Sequence, residues 1–150
     1  MADLDLPHEV SVEVVYVDED LVELEAVVRA GPWRGQAQAY TVPQDIATFV
    51  AALKRFAAGE ARTADFTVGA DSGIGLIALR FYRIDRAGHI VCHARLASGR
   101  VPTDHRPEQV AQLAVEVGAE AEAVARFGRQ LEELARVCSG RACLAVEPGP

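Results

Sequence analysis

Asparagine is absent from this 150-residue chain, lysine occurs once (Lys54), tryptophan once (Trp33), and cysteine only at Cys92, Cys138 and Cys143. An odd, sparse cysteine set excludes a disulfide framework, although the C-x4-C spacing of Cys138 and Cys143 would allow a single bridge. No apolar run approaches the ~18 residues of a membrane span. The opening Met-Ala-Asp-Leu-Asp-Leu-Pro lacks the basic start and apolar stretch of a secretory signal, so the expected compartment is the cytoplasm.

Several catalytic signatures are missing too. There is no G-x-S-x-G elbow and no H-E-x-x-H pair. The glycine-rich stretch from Gly69 to Gly75 joins two expected strands rather than opening a helix, which removes the context of a phosphate cradle. Lys54 sits beside Arg55 on an expected helix and reads as a solvated head rather than a Schiff-base amine.

The most informative absence is basic charge at one end. Residues 1–28 carry Asp3, Asp5, Glu9, Glu13, Asp18, Glu19, Asp20, Glu23 and Glu25 without a single lysine or arginine. The rest of the chain sets 13 acids against 15 bases, so this segment accounts for the net charge of −7. It would repel phosphate, which argues against nucleic acid as a partner, and would steer a basic protein toward itself.

What is present is ordinary globular material, 50% hydrophobic and 25% charged, expected to form a single α+β domain over 1–150 with short tails at 1–8 and 147–150. Residues 9–17 alternate, placing Val10, Val12, Val14 and Tyr16 on one face and Ser11 and Glu13 on the other, the period of a strand. Asp18-Glu19-Asp20 is a turn, and 21–29 alternate again with Glu23 and Glu25 outward, so the two form a hairpin with an acidic face. Gly31-Pro32 ends the second strand, and a third runs over about 34–42.

From Pro43 the period changes. Ile46, Phe49, Val50, Leu53 and Phe56 form a helical stripe that stops at Gly59. Strands are expected over 62–68, 74–84 and 88–97, then a surface loop over 98–108 and a strand over 109–117, where alternation competes with helix-permitting alanines. Val124, Phe127, Leu131, Leu134 and Cys138 mark a second helix over about 119–138, and Leu144 and Val146 suggest a short edge strand. The expected architecture is one antiparallel sheet of six or seven strands, flat or curved, with two helices packed on one face in the order β-β-β-α-β-β-β-β-α.

No residue set reads as catalytic, as a metal site or as a cofactor site. His89 and His93 on one strand would stand about 13 Å apart, whereas two zinc ligands each lie about 2.1 Å from the ion. Asp104 and His105 are the distant residues that either could join. Cys92 points with Ile90, Ala94 and Leu96 into apolar surroundings, where a thiol stays protonated. Trp33 beside Arg34 suits either the rim of a binding surface or a cap on the core. Arg80, Arg83 and Arg95 could pair with the acids or hold an anion.

Trp33-Arg34-Gly35, the strand to Val42 and then Asp45-Ile46-x-x-Phe49-x-x-x-Leu53 resemble a pattern in small bacterial immunity proteins of the WapI type and related families. In these an aromatic-x-glycine strand precedes such a helix, followed by strands, a turn matching Gly88-His89 and a closing helix. The similarity spans about residues 20–137 in order of elements. It implies a non-enzymatic protein, without cofactors, that binds and neutralises a toxin. The residues expected to meet a basic protein partner are Asp18, Glu19, Asp20, Glu23, Glu25 and Trp33. A homodimer through exposed strand edges is the other expected association, and a small-molecule pocket between sheet and helices is the alternative function.

Overall fold

The computed structural model describes residues 8–70, 75–98 and 107–147. Eight strands and two helices follow one another as β1 (Glu9–Val17), β2 (Val22–Ala30), β3 (Trp33–Thr41), α1 (Pro43–Ala57), β4 (Thr63–Gly69), β5 (Leu76–Arg83), β6 (Ile90–Ala97), β7 (Gln112–Ala119), α2 (Ala121–Val137) and β8 (Arg141–Ala145), with a 3-10 turn at Pro107–Gln109 before β7.

The strands make two antiparallel sheets of four, ordered β3-β2-β1-β8 and β4-β5-β6-β7, and not the single sheet of six or seven expected. The division falls at α1. Hairpins join β1 to β2 and β2 to β3, but the step from β3 to β4 passes through a 15-residue helix, so β4 starts a new ladder instead of extending the old one. The chain also returns to the first sheet, where β8 pairs with β1 from Glu9–Ala145 to Glu13–Arg141.

The two sheets meet through β3. A β-carbon on Gly75, before β5, would lie 1.9 Å from the Gln38 carbonyl, and one on Gly35 would lie 2.6 Å from Leu113 Cδ2 on β7. Gly69, Leu76, Ala97 and Gln112 are register partners at one end of the second sheet. β3 therefore runs transversely along that end, from β4 to β7, and the small residues Gly35, Ala37 and Ala39 permit the approach.

Both inner faces and both helices share one core. The expected stripe of α1 is buried in full, as Ile46, Phe49, Val50, Leu53 and Phe56. Phe49 stacks on Phe66 with ring centroids 4.8 Å apart, and Phe81 sits among Phe49, Phe56 and Phe127 at 6.1, 6.5 and 6.2 Å. These rings belong to one buried apolar cluster that lies between the sheets and the helices. α2 buries Val124, Phe127, Leu131 and Leu134, and its Gln130 accepts the Cys143 N–H at 2.7 Å on the edge strand β8.

Residues 112–119 are strand, two or three positions later than the alternation suggested, with Gly118 inside it. Cys138 and Cys143 are free thiols: Cys138 packs against the core, while Cys143 lies beside Ser11 on the opposite face of the first sheet. Residues 71–74 of the glycine-rich turn, most of the 98–108 loop including Asp104 and His105, and Asp3 and Asp5 lie outside the described residues.

Candidate interaction face

The outer face of the first sheet is built by register. Val22, Leu24, Ala26 and Val28 are buried, so Glu23, Glu25, Val27 and Arg29 point away from the core. Across neighbouring strands the outward residues fall in rows: Tyr40, Glu23 and Tyr16, then Gln38, Glu25, Glu13 and Arg141, then Gln36, Val27, Ser11 and Cys143.

Tyr16 corrects the sequence reading, which placed it on the core face with Val10, Val12 and Val14. The β1–β2 register shifts between Val14 and Tyr16, leaving Val15 as an extra residue, and a bulge of this kind reverses the direction of every side chain beyond it. Tyr16 is consequently 54% exposed and opposite Glu23. Alternation alone contains no signal for the extra residue, which is why Tyr16 and Tyr40 were missed as members of the face.

Each acid has a distinct setting. Asp18 builds the turn, its Oδ1 accepting the N–H groups of Asp20 at 2.9 Å and Leu21 at 2.8 Å. Glu19 and Asp20 are exposed beside it. Glu23 is the cross-strand neighbour of Tyr40, and its hydrogen-bonding interaction, followed by its charge, raises the Tyr40 phenol above its ordinary value. Glu25 accepts from Gln38 Nε2 at 2.7 Å. Glu9 at the far end faces Arg141 at 3.3 Å and accepts from the Cys143 thiol, whose pKa is raised first by burial and then by that bond.

Asp18, Glu19, Asp20, Glu23 and Glu25 are therefore grouped on one hairpin, with exposed Val15, Val17 and Leu21 at its tip. Trp33 stands apart. It pairs with Ala30, seven residues along β2 from Glu23, or roughly 23 Å. At 63% exposure it does not cap the core; it lies at the opposite rim of the sheet and, by its register with Ala30, on the side of Gly35, Ala37 and Ala39 and not on the acidic outer face.

Arg29, Arg34 and Arg141 share this outer face, whereas Arg80, Arg83 and Arg95 lie elsewhere. Arg80 pairs with Asp65 at 3.5 Å on the second sheet, Arg83 donates to the Phe56 carbonyl at 3.0 Å, and Arg95 makes no ion pair among the described residues. None meets the acidic hairpin. His89 lies outside β6 and bonds to Asp85 through Nδ1 at 2.6 Å, while His93 is on β6, so the pair is not on one strand as expected. Among the described residues no group of three potential metal ligands converges, and no helix is long and apolar enough to cross a membrane. Cys92 is fully buried, which pushes its thiol up to about 12.

No protein-family model matches the chain, and no curated protein does. Among solved structures it is similar to a chain of a CdiA-CT/CdiI toxin and immunity complex from Enterobacter cloacae, at 8% identity over 85% of this chain and 99% of that one, with a TM-score of 0.42.

Proposed function

We propose that this chain is a non-enzymatic protein-interaction module of the immunity type, which binds a basic protein partner through the outer face of its first sheet. The carrying observation is the acidic run of residues 1–28, which has no lysine or arginine, with Asp18, Glu19 and Asp20 in the turn of one hairpin and Glu23 and Glu25 on its outer face. Tyr16 and Tyr40 flank Glu23 there, and tyrosines among acids supply the contact area that charges alone lack.

The reading is tested by affinity capture from native lysate at low and at high salt, with size-exclusion chromatography of the pure protein to report any homodimer. A stoichiometric basic partner should be retained at low salt and released near 1 M salt, where the Debye length falls to about 3 Å. Combined Glu19→Lys, Glu23→Lys and Glu25→Lys should abolish capture. A complex indifferent to both salt and charge reversal would refute the electrostatic mechanism.

A further inference from the structure

The outer face of the second sheet mixes charges of both signs. Its central row runs Asp65, Arg80, His93 and Glu116 across β4 to β7. At one end of this face an open cleft of about 540 Å³ is lined by Arg62, Thr63, Arg80, Tyr82, Arg83 and His93. Both acids of the row are already engaged: Asp65 with Arg80 and the Thr63 hydroxyl, and Glu116 with the Tyr82 hydroxyl. Arg83 is held by the Phe56 carbonyl and lies 4.3 Å from the centre of the Phe56 ring, which fixes its guanidinium while leaving its charge unneutralised. Arg62 and His93 make no hydrogen bond or ion pair among the described residues.

From these two arginines without a carboxylate partner we infer that the cleft is a binding site for the phosphoryl group of a small metabolite. Three guanidinium groups line the cleft beside two carboxylates, Asp65 paired with Arg80 and Glu116 bonded to Tyr82, so Arg62 and Arg83 are left without a carboxylate partner among the described residues. A phosphoryl group carries about −1.5 to −2 charge and three acceptor oxygens, which matches a cleft lined by several guanidinium donors better than a monocarboxylate does. Thr63 and His93 supply further polar groups at the wall, and the Tyr82 ring, with the Arg80 guanidinium 6.0 Å from its centre, forms a flat side against which the rest of a ligand can lie. The site is independent of the acidic face, since it stands on the other sheet.

Titration calorimetry of the intact chain with inorganic phosphate and pyrophosphate tests the assignment. Wild type should bind pyrophosphate saturably and more tightly than acetate. Arg62→Gln removes one charge-assisted contact without breaking a hydrogen bond or ion pair among the described residues, and should weaken binding by about tenfold; His93→Gln should weaken it less. Arg126→Gln, an equal change in net charge on the exposed surface of α2, should leave the affinity within about twofold. The assignment is overturned by absence of saturable heat with both phosphates, or by equal weakening in Arg62→Gln and Arg126→Gln, which would reduce the effect to overall charge.

Discussion

Gly35 on β3 lies against the side chain of Leu113 on β7, so close that a β-carbon would fall 2.6 Å from Leu113 Cδ2 and 3.0 Å from its Cβ. This contact is one of the places where the two sheets touch. Gly35→Ala should therefore destabilise the fold by about 1–3 kcal/mol in urea denaturation. Adding Leu113→Ala should recover part of that loss. An additive double variant would mean that the clash is absorbed elsewhere.

Phe81 is the centre of the aromatic cluster, within 6.5 Å of the rings of Phe49, Phe56 and Phe127. Phe81→Ala should cost about 3–5 kcal/mol, because three rings of two helices lose a common partner and cannot all close the gap. The denaturation midpoint should fall accordingly, and a change below about 1 kcal/mol would place the energetic centre of the core elsewhere.

Cys92 predicts an alkaline instability. Its folded thiol is raised from an ordinary 9.0 to about 12 by burial, so the neutral form is retained in the fold. Above the ordinary value the unfolded chain gives up this proton and the folded chain does not, so stability falls with rising pH until the folded value is reached. The slope is about 1.4 kcal/mol per pH unit for one group. Wild type should lose stability relative to Cys92→Ala across that window, and Cys92 should resist thiol reagents until unfolding while Cys138 and Cys143 react sooner. Parallel pH profiles for the two proteins would contradict this.

His89 and Asp85 form an exposed pair in the turn between β5 and β6. The hydrogen bond, then the charge of Asp85, raises the imidazole, and the bond from His89 lowers the carboxyl. The histidine's contribution is present below its ordinary value and lost as pH rises through the raised one; that of the aspartate is lost as pH falls through its lowered one. Proton NMR titration of His89 should move downward in pH in Asp85→Asn. An unchanged midpoint would show that the pair does not persist in solution.

Much of this structure was legible where one period governs one element. The five stripe residues of α1 are all buried, and the acids at 18–20 mark the β1–β2 turn. Pairing was less legible, because alternation says that a strand buries one face without saying which strand lies beside it. The split into two sheets depends on β3 turning across the end of the second sheet, and its one sequence trace is the run of small inward residues Gly35, Ala37 and Ala39. The β8–β1 ladder joins segments more than 120 residues apart, beyond any local pattern. Of the interaction face, the acids were visible as composition, whereas Tyr16 reached it only through the extra residue at Val15.

That same ladder sets a timetable for biosynthesis. β1 emerges from the ribosome well before β8 and finds β2 at once through its short turn, but its other edge pairs with Arg141–Ala145, made more than 120 residues later. Throughout elongation the row from Glu9 to Glu13 must wait with open backbone groups, an invitation to strands of neighbouring nascent chains. The carboxylates of Glu9 and Glu13 on that waiting strand repel identical copies in the crowded polysome, so the charge that marks the finished surface also guards the unfinished one.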